Sequence, residues 1–239
     1  MNSKLEIKKS KLPFVFVNMA MTADGKIATA NRAVHSFGSA RDLAHLYDLR
    51  ATADAVMCGA RTVEVSGTIL GAGGAKFRQL RLEHGLAEFN LRVIVSGSGS
   101  IRPAAEIFKK KFSPVIVLTT RRTSAKKLAQ LRALADEVKV CGEMEVNFRS
   151  ALRWLRSKWG VKRLLCEGGG ELNDALFRAG LVDEINLTLC PKIFGGRTAP
   201  TIADGLGFQR LTDAEQYELT SIKREKAELF TVFSRRKNR

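Results

Sequence analysis

Apolar residues occur along this chain in short runs that alternate with segments of helical period. Runs such as FVFV and VIVL are continuously apolar, which is typical of strands covered on both faces. The pattern predicts strands at 13–20, 54–59, 91–96, 114–120, 137–142, 162–168 and 184–193, and two more at YELTSI and ELFTVFS.

Helices are predicted between these strands. The segment 39–53 opens with a capping serine, and its period places Leu43, Leu46, Leu49 and Ala53 on one face. Further helices are expected at 123–134, at 147–159, at 172–179 with Gly180 as a C-cap, and in a short form within CGARTVEVSG at 58–67, with Thr62 near its first turn. In the 147–159 helix the buried side is predicted to be Phe148, Leu152 and Leu155.

The order of these elements indicates the fold class. Strands and helices alternate through most of the chain, which predicts an α/β fold with a mostly parallel central sheet covered by helices on both faces. No helix separates the last two strands, so we expect an antiparallel C-terminal edge. No Pro/Gly/Ser linker divides the chain, and we therefore predict a basic N-terminal tail at 1–12 and a single domain at 13–235.

Composition narrows the class of protein. A hydrophobic fraction of 45% excludes a disordered chain, and the net charge of +16 suits either nucleic acid or a phosphorylated ligand. No basic stripe interleaved with aromatic residues accompanies the charge, so we do not expect sequence-specific nucleic-acid binding. No apolar stretch reaches the roughly 18 residues that a membrane span needs, and residues 1–11 lack the apolar core of a signal peptide. We expect a cytoplasmic protein.

Several common motifs are absent. The first strand runs into MTADGKIA instead of GxGxxG, SGSGSIRP follows the third strand, and no GxxxxGK[ST] occurs. We therefore expect neither a standard Rossmann domain nor P-loop chemistry. The four cysteines show no metal-ligand spacing, so we expect reduced, mostly buried thiols and no metal site.

Three stretches carry chemically informative residues. MTADGKIA places Asp24 and Gly25 in a turn with Lys26 just beyond, although Asp-Gly is also an ordinary hairpin turn. In GARTV, Thr62 is either a cap or a phosphate ligand. In RLLCEGGGELND, three glycines follow Glu167, which indicates either a tight strand-to-helix turn or a backbone left bare for an anion at a helix N-terminus.

In combination, MTADGKIA, GARTV and CEGGGELNDALFRAGLVDEINLTLCPKIFGG resemble the reductase domain of RibD-type riboflavin-biosynthesis proteins. The resemblance covers about 13–235, and 167–196 is its most specific part. It implies a dihydrofolate-reductase-like fold, NADPH as cofactor, a homodimer, and reduction of the ribosylamino group of a pyrimidine 5′-phosphate to ribitylamino by hydride transfer to the sugar C1′. The zinc signature of the deaminase is missing, so we expect a stand-alone reductase.

The resemblance also implies roles for individual residues. Lys26 and Glu167 would be catalytic, one holding the sugar hydroxyls and the other assisting the proton, with the assignment left open. Asp24, Arg50 and Glu167 would bind the substrate. The implied cofactor contacts are Ala20, Thr62, Ser66, Ser96, Gly97, Gly168, Gly169, Gly170, Glu171 and Leu172. Arg121 and Arg122 are candidates for the extra phosphate of NADPH by location and charge.

One block departs from the family pattern. Where the family reads T-V-x-x-D-[DN]-P-x-L-x-x-R, this chain reads TVEVSGTILGAG, so Gly73 takes the place of an arginine that helps to hold the substrate phosphate. Lys76 or Arg78 could supply the charge, or the substrate lacks that phosphate. His35 and Ser36 align with the family only with a shift.

Two alternatives to the pyrimidine reductase stay open. One is a related oxidoreductase acting on another small imine, carbonyl or pterin-like substrate. The other is a non-catalytic nucleotide- or nucleic-acid-binding homologue, although retention of both Lys26 and Glu167 favours an enzyme.

Overall fold

The structure is a computed structural model that describes residues 10–33 and 37–236. Most of the predicted N-terminal tail, together with His35, Ser36 and the last three residues, lies outside the described residues. No helix in the described ranges is both long enough and apolar enough to cross a bilayer. The cytoplasmic location stays a prediction.

All nine predicted strands are confirmed, and they form one sheet in the order β5-β4-β3-β2-β6-β1-β7-β9-β8. The neighbours β1/β7, β2/β3, β3/β4 and β4/β5 run parallel, whereas β7/β9 and β8/β9 run antiparallel. The α/β class and the antiparallel C-terminal edge are therefore confirmed. The strands are β1 (Phe14–Thr22), β2 (Ala55–Gly59), β3 (Leu91–Val95), β4 (Val115–Thr119), β5 (Glu137–Val140), β6 (Arg163–Cys166), β7 (Glu184–Cys190), β8 (Tyr217–Glu225) and β9 (Glu228–Arg235).

The helices match the sequence pattern except where apolar stripes are missing. They are α1 (Ala40–Arg50), α2 (Ala60–Ser66), α3 (Ala75–Glu83), α4 (Glu106–Lys109), α5 (Ala125–Leu134), α6 (Phe148–Trp159) and α7 (Gly170–Arg178), with a 3-10 turn at Leu211–Asp213. The sequence missed α3, whose buried residue is an arginine, and also the single turn of α4 and the 3-10 turn.

The ends and buried faces of the helices can be compared with those predicted from the sequence. The Ser39 hydroxyl accepts a hydrogen bond from the Asp42 N–H at 3.3 Å, which confirms the cap of α1. The predicted apolar face of α1 is only partly confirmed, because Ala53 is buried and Leu46 and Leu49 are half-buried, whereas Leu43 is 47% exposed and the buried residue of the helix is Arg50. In α6 the predicted buried residues are confirmed. Helix α7 begins two residues before the predicted start, and Gly180 follows it in the left-handed conformation, with φ of 62°.

The chain folds into two compact units. The first unit comprises Met1–Phe14 and Tyr47–Leu165, and the second comprises Val15–Leu46 and Cys166–Arg239. The single domain at 13–235 stays a prediction.

A buried arginine organises part of the first unit. Arg81 of α3 is 1% exposed, and its guanidinium donates to the carbonyls of Arg50 at 2.6 Å, Ala53 at 2.7 Å and Ala87 at 2.9 Å. Burial lowers the pKa of Arg81, and the charge of Asp54 offsets part of that shift. The planar fork therefore joins α3 to the last residues of α1 and to the segment before β2.

Replacing Arg81 with methionine should lower the free energy of unfolding by roughly 2–4 kcal/mol, because two buried carbonyls and one partly buried carbonyl lose their donor. Urea denaturation followed by circular dichroism measures this loss. Arg132→Met on the exposed face of α5 is the control and should stay within about 0.5 kcal/mol of the original chain. Equal stability of the two variants would contradict the role assigned to Arg81.

Candidate active site

The turn after β1 is held by the Asp24 carboxylate. It accepts hydrogen bonds from the Thr22 hydroxyl at 2.5 Å, the Phe194 N–H at 3.2 Å and the Gly195 N–H at 2.7 Å. The Thr22 hydroxyl contributes most to lowering the pKa of Asp24 below its ordinary value, and partial burial opposes that shift. Gly25 completes the turn with φ of 77°, a left-handed conformation that favours glycine. Asp24 is thus engaged by the protein itself, and its contact with substrate stays a prediction.

Lys26 follows this turn and lies against the segment 199–204. Its backbone N–H donates to the Thr22 hydroxyl at 2.9 Å, and it forms an isolated antiparallel bridge with Thr201. The ammonium group donates to the Ala199 carbonyl at 3.3 Å. An ammonium group has three donors, so this contact orients the side chain and leaves donor capacity for a ligand.

The glycines after Glu167 have structural reasons of their own. Gly168 has φ of 73°, and a Cβ there would lie 3.0 Å from the Met19 sulfur. A Cβ on Gly170 would lie only 2.6 Å from the Thr201 carbonyl oxygen. The peptide between Gly168 and Gly169 is cis. Close packing and backbone conformation within the second unit therefore account for glycine at 168 and 170. This agrees with the interpretation of the run as a tight strand-to-helix turn.

The same glycines lie at the start of α7, where no side chain caps the first backbone N–H groups. Gly169 is the N-cap and supplies no side-chain cap, and the Asn173 N–H donates to the Gly169 carbonyl at 3.0 Å. The N–H groups of residues 170–172 precede that bond and lie at the positive end of the helix dipole. This geometry is compatible with the second interpretation, an anion at the helix N-terminus.

Lys26 and the start of α7 share one neighbour in the second unit. The segment 199–204 contacts Lys26 as described, and its Asp204 N–H donates to the Gly170 carbonyl at 3.0 Å. The sequence did not single out this segment, because it contributes mainly backbone atoms and its residue types carry no signal. The structure therefore places the predicted catalytic lysine and the predicted phosphate-binding helix against the same segment.

Of the other predicted cofactor residues, Ala20 lies on β1 in the second unit, whereas Thr62, Ser66, Ser96 and Gly97 lie in the first unit, where three parallel strands end. Thr62 lies in the first turn of α2 after β2, and Ser96 and Gly97 directly follow β3. A Cβ on Gly97 would meet only a Thr120 methyl group, at 3.9 Å, so the backbone there is bare. Because β2, β3 and β4 are parallel neighbours, these residues lie along one edge of the sheet, where nucleotides bind in α/β proteins.

Two other predicted residues have partners within the protein. The Ser66 hydroxyl donates to the Thr62 carbonyl at 2.7 Å. Arg50 is 5% exposed and donates to the Gly71 carbonyl at 2.7 Å. Structural contacts explain the burial of Arg50, and its substrate role stays a prediction.

The block that departs from the family pattern has a physical explanation at Gly73. A Cβ there would lie 2.6 Å from the Tyr47 ring, and φ is 89°. An arginine at position 73 would require the Tyr47 ring or the backbone of residue 73 to move. Arg78 is engaged, since it pairs with Glu88 at 3.0 Å and donates to the Gly73 carbonyl at 3.3 Å. Lys76 is exposed on the first turn of α3.

The cysteines take no part in these groups of residues. All four are free and buried, as predicted. Burial raises the pKa of the Cys141 thiol to about 11 and that of Cys166 to about 12, so both stay protonated at neutral pH. In the ranges that the structure describes, no cluster of three or more His, Cys, Asp and Glu residues could hold a metal ion.

Comparison with known proteins gives consistent matches. The 2,5-diamino-6-ribosylamino-4(3H)-pyrimidinone 5′-phosphate reductase of Archaeoglobus fulgidus is 35% identical over 206 residues, which cover 86% of this chain and 93% of that protein. A pyrimidine reductase-like protein of Corynebacterium diphtheriae has a TM-score of 0.79 at 19% identity, covering 95% of this chain and 93% of that one. RibD of Acinetobacter baumannii has a TM-score of 0.76 at 20% identity, and the match covers 97% of this chain.

The structural matches confirm the fold, and this chain spans 60% of the length of the A. baumannii protein. A family model described as the RibD C-terminal domain matches residues 13–227. That range contains Lys26, Glu167 and the glycines that open α7. The chain belongs to the RibD C-terminal domain family.

Proposed function

We propose that this chain is an NADPH-dependent reductase that converts the ribosylamino group of a pyrimidine 5′-phosphate to ribitylamino in riboflavin biosynthesis. The A. fulgidus relative is named for this activity, and its match to this chain covers 93% of its length. The observation that carries the proposal is the shared contact of Lys26 and the start of α7 with the segment 199–204. It positions a cation and uncapped helix amides against the same backbone, as a site for an anionic cofactor and a sugar requires.

A nicotinamide cofactor follows from the reductase family, and the residues present fit one. The bare backbone at Gly97 and the uncapped amides of residues 170–172 are both suited to phosphate oxygens. When bound, NADPH supplies the hydride. We assign to the cofactor all the residues implied by the resemblance, including Ala20 on β1 and Thr62.

We propose NADPH rather than NADH because two arginines follow β4. Arg121 and Arg122 are both exposed beside Ser96 and Gly97 at the sheet edge. Arg121 pairs with Glu143 at 2.9 Å, and Arg122 donates to the Met144 carbonyl at 3.3 Å. Both contacts lie at the surface, where an ion pair contributes little, so a phosphate could compete for either guanidinium.

Two titratable side chains of the second unit would act on the sugar. If the sugar reacts as its opened imine, the nitrogen must receive a proton as C1′ becomes saturated. Lys26 is oriented by the Ala199 carbonyl, and Glu167 is half-buried at the end of β6. One of them would hold the sugar hydroxyls while the other assists the proton. Positioning of the reacting carbon supplies the rest of the rate enhancement.

The substrate phosphate needs a cation that replaces the missing family arginine. We propose Lys76, because Gly73 has no room for a side chain and Arg78 is paired with Glu88. Lys76 is exposed and lies 5.7 Å from the Phe77 ring centroid. We also propose the homodimer implied by the resemblance.

Lys26→Ala and Glu167→Gln should each lower kcat by about 100-fold or more, because each removes a group that holds the sugar or handles the proton. NADPH oxidation at 340 nm with the ribosylamino pyrimidine phosphate measures this effect. NADPH affinity should change by no more than about twofold, since neither side chain is assigned to the cofactor.

Lys223→Ala and Glu218→Gln provide matched controls, because both residues are exposed on β8 of the same unit. Both should retain the original kcat. If Lys26→Ala and Glu167→Gln were as active as these controls, the assigned catalytic roles would be wrong.

Lys76→Ala should raise KM for the phosphorylated substrate about 10-fold and leave kcat nearly unchanged, because a phosphate contact far from C1′ contributes to binding. The same variant should leave KM for the dephosphorylated substrate unaltered. Steady-state kinetics with both substrates measure the difference, with Lys162→Ala as an exposed control in the same unit. An equal effect on both substrates would refute the assignment.

A further inference from the structure

One face of the sheet in the second unit is polar although it is buried. Thr188 of β7 is in register with Ala20 of β1 and with Phe230 of β9, so the three side chains share a face. His45 of α1 packs edge-to-face on the Phe230 ring at 5.3 Å, which shows that α1 covers this face. By strand alternation Asn18 lies on the same face, two residues before Ala20.

Two acceptor atoms on this face are unpaired. Asn18 is 8% exposed and Thr188 is fully buried, and neither Asn18 Oδ1 nor Thr188 Oγ1 has a hydrogen-bond partner of good geometry among the described residues. Leaving a buried polar atom unpaired costs roughly 1–3 kcal/mol, so such atoms commonly have a ligand or water as partner.

A carboxylate lies beside Thr188. Asp42 lies in the first turn of α1, and its Oδ2 occupies the place that a Cβ at position 38 would need, so Gly38 makes room for it. Burial raises the pKa of Asp42, the Thr188 hydroxyl partly offsets this shift, and the charge of Glu228 adds to it. Thr188 therefore lies close to Asp42 without completing a well-aligned hydrogen bond.

The neighbouring carboxylate of Glu228 is already saturated. It accepts hydrogen bonds from the Ser39 N–H at 2.8 Å and the Ser39 hydroxyl at 2.6 Å, and the Cys190 thiol lies 3.7 Å from Oε1. Glu228 thus anchors the start of α1 to β9. Asp42 is half-buried beside Thr188, and His45 of the same helix also acts on its carboxylate.

We propose that Asn18, Asp42 and Thr188, the α1 acceptor cluster, bind the 2-amino edge of the substrate pyrimidine and select it over a 2-oxo ring. This inference rests on the proposed function for the identity of the ring. A 2-aminopyrimidin-4-one presents an amino group and a ring N–H side by side, which match the two oxygens of a carboxylate. A uracil ring presents an oxygen in place of the amino group, and that oxygen would face the Asp42 carboxylate unfavourably.

The cluster lies along β1 from the proposed catalytic turn. Asn18, Ala20 and Thr22 share one face, and they are spaced by about 7 Å for every two residues. The Thr22 hydroxyl accepts the Lys26 N–H at 2.9 Å. A ring held at the cluster would therefore direct its sugar along β1 towards Lys26.

Ring binding can be measured without turnover. Isothermal titration calorimetry of the NADPH-saturated protein with 2,5,6-triaminopyrimidin-4-one and with 5,6-diaminouracil should give at least about 10-fold tighter binding of the 2-amino ring. Asp42→Asn should reduce this preference to about twofold or less, because the amide replaces one acceptor by a donor. Thr188→Val keeps the side-chain shape and should lose part of the preference.

Glu218→Gln, which removes an exposed carboxylate from the same unit, should keep the full preference. Equal affinity of the original chain for the two rings, no binding of either ring, or an undiminished preference in Asp42→Asn would each overturn the proposal. Turnover of the complete ribosylamino phosphate is measured separately. Ring selection without turnover would reject the proposed function alone, whereas turnover with a preference unaffected by Asp42→Asn would reject the acceptor cluster alone.

Discussion

The geometry of the proposed site depends on the hydrogen bonds of the Asp24 carboxylate. They join the turn after β1 to residues 194 and 195, and the chain then continues through 199–204, which contacts both Lys26 and Gly170. Because the pKa of Asp24 is lowered, the carboxylate stays ionised at neutral pH and these bonds stay charge-assisted. A residue that the resemblance assigns to substrate binding therefore also has a structural role, which is to hold Lys26, the proposed catalytic lysine, in place.

The glycine run illustrates how one sequence feature can meet two requirements. Gly170 is needed because the Thr201 carbonyl approaches too closely for any side chain, and Gly168 is favoured by its φ of 73° and by the nearby Met19 sulfur. The same absence of side chains leaves the first amides of α7 uncapped. The two interpretations that the sequence left open are thus compatible, since close packing positions the helix end whose dipole would favour an anion.

Apolar runs were sufficient to predict the central strands, because burial on both faces leaves a continuous signal, as in β4, whereas β8 is exposed along most of its length. Helix α3 was missed because its buried residue, Arg81, is satisfied by backbone carbonyls that no local pattern reveals. Site residues were predictable as residue types at strand ends. Their partners were not, since the Gly71 carbonyl that engages Arg50 and the Ala199 carbonyl that orients Lys26 are distant backbone atoms. The α1 acceptor cluster was not predicted from the sequence for a related reason. Polar residues within strands, such as Asn18 and Thr188, are usually expected at the surface.

The most direct test of the central claim follows the transferred hydrogen. NADPH carrying deuterium at C4 of the nicotinamide, prepared separately in each stereochemical form, is reacted with the ribosylamino pyrimidine phosphate, and the product is examined by mass spectrometry and NMR. We expect one of the two forms to deliver a single deuterium to C1′ of a ribitylamino product. Oxidation of NADPH with no deuterium at C1′, or no reaction by protein that binds both ligands, would contradict it.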